Sequence, residues 1–252
     1  MKRIGCIPLH YGKEYLAWSV EALSTACDEV HVFYSPTPSF GFSGSLPCPD
    51  TEEELHAQAH RFGKPVWHRV SSGSEGNHNE QMLEEARSRG AHIVAIADAD
   101  EIWDPLTLTV GLASADMQNC AGRWRTKFRH FWRSWGWSMV DHFEPIRIRD
   151  LRHSSDIDGS LDNAVPIFHF GYAQRPELIR YKLTCTSHQP EFKPGWFDGK
   201  YLAWKPDDES THRDLHPVIN DFWTAQRTPA DVLAKLDVLM PTHAYRGLDI
   251  IT

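Results

Sequence analysis

Apolar residues in the first hundred positions fall into short runs separated by longer amphipathic stretches. Residues 4–9 (IGCIPL), 29–34 (EVHVFY), 65–70 (PVWHRV) and 93–97 (IVAIA) read as strands. Between the first two, residues 13–27 put Leu16, Val20, Leu23 and Cys27 on one face at helical spacing. Residues 51–62 predict a short helix. Residues 77–89 predict a longer one, with Asn77 as cap, Glu80 three residues on, and Gly90 past its end. Segment 35–50 (SPTPSFGFSGSLPCPD) is loop by its Ser, Pro and Gly content. The order β-α-β-α-β-α-β predicts an α/β fold with a doubly wound, mostly parallel sheet. Residues 93–97 lack polar alternation, so helices are expected on both faces of that strand.

The pattern loosens in the C-terminal half. Residues 122–132, 145–149 and 163–172 (NAVPIFHFGY) read as strands, and 187–217 as irregular loop. A last helix has Thr228 as cap, Pro229 at its first position and Asp231 in its first turn. Val232, Leu233, Leu236 and Leu239 form its apolar face, and Pro241 stops it. With no repeat or dividing linker, residues 1–252 are expected to form one domain, regular over 1–110 and irregular over 111–252.

Composition narrows the class. A hydrophobic fraction of 41% suits a globular chain that buries its own core. The formal charge of −8 argues against a uniformly basic nucleic-acid binder and leaves a local basic face open. Five scattered cysteines without a C-x-x-C pair read as reduced thiols of a cytosolic protein. The N-terminus carries no signal-peptide pattern. No apolar run approaches the roughly 18 residues of a membrane span.

The candidate chemistry lies in IVAIADADEIW, where strand 93–97 meets Asp98, Asp100 and Glu101. In open α/β sheets ligands bind beyond the carboxyl ends of the strands. If the chain stays extended, Asp98 and Asp100 point to the same side. Paired carboxylates at the mouth of a buried strand call for a cation between them. Their hard oxygens suit Mg²⁺ or Mn²⁺, completed by substrate phosphates. A second D-x-D, Asp156-Ile157-Asp158, follows no such strand and reads as a solvated turn.

In this setting three segments resemble parts of the GT-A glycosyltransferases, family-2-like members that use nucleotide-diphosphate sugars. They are IGCIPLHYGKEYLAWSVEAL, IVAIADADEIWDPL and IFHFGYAQRPELIRYKL. The resemblance covers the layout of residues 1 to about 110 and one later motif. It implies a GT-A fold and metal-dependent transfer of a sugar, from a UDP-sugar first of all, to a hydroxyl. Residues 1–110 would hold the donor and 111–252 the acceptor. Carried over, Asp98 approaches the nucleotide ribose or binds metal through water, with Ala99 beside it. Asp100 is the direct ligand of Mn²⁺ or Mg²⁺, and His169 is the further metal ligand, with His188 in reserve. Pro8, Leu9 and His10 line the nucleobase end, and Arg175, Arg180 and Lys182 are candidates for the diphosphate. The metal would act as a Lewis acid on the departing nucleoside diphosphate. The sequence departs from the family in lacking a clean x-E-D motif after the middle strands. Candidate general bases are Glu144, Asp141 and Asp158 in that order, followed by Asp162.

RWRTKFRHFWRSWGW suggests an acceptor surface. On one strand, Arg123, Arg125, Lys127 and Arg129 would share a face, with aromatic residues interleaved. Such a row suits a nucleic-acid backbone and an extruded base, so DNA with hydroxymethylated bases is one acceptor to consider. An edge strand guarded by cations gives the same pattern. Trp196, Tyr201 and Trp204 are candidates for stacking or core packing. His56 and His60 in HAQAH lack the glutamate of H-E-x-x-H and read as a solvated helix face. The alternatives are a glycan- or lipid-directed glycosyltransferase, a nucleotidyltransferase, and a non-catalytic nucleic-acid- or sugar-binding module.

Overall fold

The computed structural model describes residues 1–38, 46–71, 75–118, 122–140, 143–153, 157–161, 167–186, 188–219 and 221–243. In chain order the first elements are β1 (Arg3–Leu9), α1 (Lys13–Ala26), β2 (Glu29–Tyr34), α2 (Glu52–Ala59), β3 (Val66–Arg69), α3 (Glu75–Ser88) and β4 (Ile93–Ile96). Next come β5 (Glu101–Trp103), α4 (Pro105–Gln118), β6 (Arg123–Arg125), β7 (Phe128–Trp132), β8 (Ser134–Val140), β9 (Ile146–Asp150) and β10 (Asp158–Ser160). The last are β11 (Ile167–Tyr172), α5 (Pro176–Cys185), β12 (Ala225–Arg227) and α6 (Ala230–Leu239). The chain forms two compact units. The first comprises Met1–Gly41, Asp50–Phe128 and His142–His169, and the second Phe42–Pro49, Arg129–Asp141 and Phe170–Thr252.

The first unit is an α/β layer structure around a seven-stranded sheet of order β10-β6-β9-β4-β1-β2-β3. β4, β1, β2 and β3 are parallel neighbours, β9 lies antiparallel between β4 and β6, and β10 is parallel to β6. Alternation along the central strands sends side chains to two covered faces. Ile7, Val32 and Ala95 pack with Leu16 and Val20 of α1 and Leu108 of α4. Cys6, Phe33 and Val94 pack with Met82 and Ala86 of α3 on the opposite face. The expected doubly wound, mostly parallel sheet is therefore present. Each fully buried Leu or Ile in it contributes about 1.5–3 kcal/mol relative to exposure.

Local chemistry explains several departures from the sequence pattern. α3 begins at Glu75, so Asn77 lies inside the helix instead of capping it. α4 was not expected, because PLTLTVGLASADMQ mixes β-branched and small residues. It forms because Asp104 Oδ1 accepts from the Leu106 N–H at 3.0 Å, Pro105 opens it, and Leu108 and Leu112 are fully buried. The single strand expected over 122–132 is two strands, β6 and β7, broken at Thr126 and Lys127. Asp158 of the second D-x-D is no solvated turn residue; it starts β10 and pairs in register with Arg123. Among the described residues, no helix is long and apolar enough to cross a membrane.

In the second unit β8 pairs antiparallel with β7 and with β12. Its core is aromatic: Trp132, Trp137, Trp196, Tyr201, Trp204 and Trp223 pack together. The three candidate stacking residues, Trp196, Tyr201 and Trp204, are thus all buried core. The irregular stretch expected near 187–217 contains short helical turns at Gln189–Glu191, Phe197–Leu202 and Glu209–Thr211. α6 starts one position later than expected. Pro229 occupies the cap position, while the Thr228 N–H donates to Gly136 O at 2.9 Å.

Candidate active site

The carboxyl end of β4 gathers side chains from four elements of the first unit. The chain does not stay extended beyond Ile96. It turns, and the Glu101 N–H donates to Asp98 O at 3.0 Å. Strand alternation therefore does not aim Asp98 and Asp100 at one point, and each carboxylate meets its own partner. Arg147 arrives on β9, the antiparallel neighbour of β4. Its Nη2 donates to Asp98 Oδ2 at 2.8 Å and to Glu101 Oε1 at 2.6 Å, and its Nε donates to Glu101 Oε2 at 2.8 Å. Asp100 is buried, and its Oδ1 lies 3.6 Å from His169 Nε2. His169 is delivered by the pairing of β11 with β5, in register with Glu101. Phe128 backs the group, with its ring centroid 4.8 Å from that of His169 and 5.5 Å from the Arg147 guanidinium.

Burial pushes the Glu101 carboxyl up, to about 8, against the pull of Arg147, and Asp98 and Asp100 add to the rise. Burial alone would lower the Arg147 guanidinium, but Glu101 and Asp98 outweigh it and hold it above its ordinary value. Asp98, Asp100 and Glu101 thus stand against one guanidinium and one imidazole. Oxygen from Asp100 and nitrogen from His169 form a donor set suited to Mn²⁺ in particular. Neither Glu101 nor Arg147 had an assigned role in the sequence. Glu101 stood next to the D-x-D, but the alternation of Arg147 in IRIRD reads equally as an edge strand.

The opening turn of α1 lies against the same loop. Gly12 has φ +109°, and a Cβ there would come 3.2 Å from Ala99 Cβ. The N–H groups of Gly12 and Lys13 both donate to Asp50 Oδ2, at 2.7 and 3.2 Å. Asp50, its side chain fully buried, thus occupies a helix N-terminus of the kind that attracts phosphates. His10 Nδ1 donates to Ser35 O at 2.8 Å, and His78 of α3 donates from Nε2 to Phe33 O at 2.9 Å. Burial holds both imidazoles below their ordinary value, and Asp98 is close enough to His78 to pull the other way. The sequence reading missed Asp50 and His78. Leu9 is 2% exposed and belongs to the core.

The remaining sequence candidates fall in different settings. Asp141 and Asp162 lie outside the described residues. Glu144 is partly exposed, with Oε1 3.9 Å from Lys127 Nζ. Asp158 accepts from Arg123 and Arg125. Burial would raise its carboxyl, but these two arginines outweigh that and hold it low, which weakens it as a proton acceptor. The basic row is also not one strand face, since Arg123 and Arg125 are on β6 and Arg129 is on β7. In the second unit, Arg180 lies 3.6 Å from Asp198 and stacks over Phe197. Lys182 donates to Gly171 O at 3.3 Å, Arg175 lies 3.8 Å from Glu177, and His188 pairs with Glu191 at 2.9 Å.

No family model and no curated protein matches the chain. Among solved structures it is similar to the 1–349 fragment of S. aureus TarS, at 15% identity and TM-score 0.36, over 52% of this chain and 36% of that one. It is also similar to glucosyl-3-phosphoglycerate synthase from Mycobacterium tuberculosis in complex with Mg²⁺ and uridine diphosphate. There the identity is 12% and the TM-score 0.38, over 50% of this chain and 43% of that one. The chain therefore spans less than half the length of either.

Proposed function

We propose that the first unit is the catalytic centre of a metal-dependent glycosyltransferase, moving a sugar from a nucleotide-diphosphate sugar, a UDP-sugar first of all, to a hydroxyl acceptor. The observation that carries this reading is the approach of His169 to within 3.6 Å of the buried Asp100, at the carboxyl end of β4. Sequence-distant oxygen and nitrogen donors converge where an open α/β sheet receives its ligand. Asp100 and His169 would hold Mn²⁺ or Mg²⁺, with Asp98, whose side chain is 44% exposed, facing the nucleotide or a metal-bound water. When bound, the metal supplies Lewis-acid stabilisation of the departing diphosphate. Arg147 clamps Asp98 to Glu101 and so orients the acidic loop. Glu144, partly exposed and 3.9 Å from Lys127 Nζ, is the preferred candidate base, because Asp158 is held by Arg123 and Arg125. The buried thiols of Cys6 and Cys185 fit a cytosolic enzyme.

The acceptor is a hydroxyl compound, with hydroxymethylated DNA as its anionic special case. Arg123 and Arg125 are engaged by Asp158, so the row presents less positive charge to a DNA backbone than its sequence suggests. A thermal-shift panel of nucleotide sugars with and without Mn²⁺ tests the donor. One donor is expected to raise the melting temperature only when metal is present, and Asp100→Asn is expected to remove that rise. Indifference of the chain to every donor at millimolar Mn²⁺ would refute the reading. Transfer to hydroxymethylated duplex DNA, with its salt dependence, tests the acceptor.

A further inference from the structure

On the α3 face of the sheet, His31 of β2 and His68 of β3 stand on neighbouring parallel strands, with Glu85 of α3 above them. One ligand atom from each of the three lies within 4.8 Å of the other two. His31 is fully buried, and its Nδ1 is 2.9 Å from His68 Nε2. Its other nitrogen, Nε2, is 3.0 Å from Glu29 Oε2. The other Glu29 oxygen, Oε1, lies 2.6 Å from Lys2 Nζ, so the carboxylate is bracketed by a cation and the imidazole. A proton on Nε2 facing this carboxylate leaves the Nδ1 lone pair toward His68, whose own proton moves to its Nδ1 when Nε2 takes a metal. A carboxylate behind an imidazole, fixing its tautomer and raising its basicity, is the arrangement that supports metal-ligating histidines.

We propose that His31 Nδ1, His68 Nε2 and the Glu85 carboxylate form a binding site for a Zn²⁺-class divalent ion. Two imidazoles and one carboxylate match the donors zinc prefers, and three protein ligands leave the fourth tetrahedral position for water. Zinc–nitrogen bonds of about 2.0–2.1 Å at the tetrahedral angle need nitrogens about 3.3 Å apart, so the imidazoles separate by a few tenths of an ångström on binding. Glu85 must share its carboxylate, since Oε1 accepts from Arg89 Nε at 2.9 Å. The buried Cys6 thiol lies within electrostatic reach of Glu85, but burial pushes it far up, and it is left out of the donor set. The ion would tie α3 to β3, which is the end strand of the seven-stranded sheet.

The test is titration of the chelator-stripped full chain with Zn²⁺, and with Co²⁺ as a visible probe. Excess Mg²⁺ is kept present to occupy hard-oxygen sites. One equivalent of Zn²⁺ is expected to bind with a Kd below about 1 μM, and Co²⁺ to give the absorption of a tetrahedral site. His68→Gln and Glu85→Gln are each expected to weaken binding more than tenfold, and Glu29→Gln by about 10–100-fold. Glu85 is on the helix surface, which keeps one ligand variant foldable if His68→Gln disturbs the sheet. His56 of α2 and His60 just past its end, whose rings stack at 4.1 Å, are the competing pair. Absence of tight Zn²⁺ binding overturns the proposal. So does binding that survives both ligand variants, or binding that is lost in His56→Gln instead.

Discussion

Asp100 meets His169 at 3.6 Å because a turn ends β4 and β5 immediately pairs with β11. On the proposed reading, Asp100→Asn removes one of the two groups that would hold the cation. Turnover with a nucleotide-sugar donor is expected to fall about 10²–10³-fold, the usual effect of deleting one electrostatic stabiliser of a transition state. Steady-state kinetics in Mn²⁺ check this, with the loss expected in kcat more than in KM. Arg147 has a different role. It is the cation that compensates Glu101, which is wholly buried. Arg147→Met leaves that carboxyl without its partner and is expected to cost about 3–5 kcal/mol of unfolding free energy in urea titrations above about pH 8, where Glu101 is ionised. Adding Glu101→Met should recover most of the loss, because removing both partners leaves no buried charge. At this scale the sequence revealed Asp98, Asp100 and His169 as candidates. It concealed Arg147 and Asp50, whose roles depend on partners 46 and 38 residues away.

The junction of β1 and α1 shows what one element contributes to the site. Gly12 adopts a left-handed conformation and packs beside Ala99, so the α1 turn and the acidic loop brace each other. Gly12→Ala is expected to cost about 1–2 kcal/mol through backbone strain and to lower turnover by displacing Ala99. Asp50→Ala uncaps two N–H groups of the same turn and is expected to cost about 1–2 kcal/mol. Chemical denaturation measures both, and additivity is not expected because the residues share the turn. Elements with strong local signals agreed with the pattern. β2 was expected over 29–34 and spans Glu29–Tyr34. The misread elements share a physical cause. α4 is helical through packing and a cap despite its weak propensity, and 122–132 breaks because β6 joins the first sheet and β7 a different one.

Across the molecule, buried histidines link stability to pH. His10 and His78 titrate below their ordinary value because burial disfavours the imidazolium. The unfolded chain takes up those protons near pH 6.5, before the native state does. Their contribution is therefore full above about pH 6.5 and is lost as the pH falls below it. Glu101 runs the other way, since its raised carboxyl makes folding less favourable as pH climbs from its ordinary range toward about 8. Because the two trends oppose each other, the variant His78→Gln isolates one of them. Its stability is expected to fall less than that of the parent chain between about pH 6.5 and 5, as measured by urea unfolding at each pH. The sequence by itself determined the alternating α/β order, the two-faced burial of the central strands and the placement of acids after β4. Apolar periodicity is a local property, and it is written in consecutive residues. The tertiary structure alone decided that Asp98 bonds Arg147 while Asp100 meets His169, that Asp50 caps α1, and that Asp158 takes up two of the four row cations. Those choices depend on which strands become neighbours, and strand order is set by packing over the whole sheet.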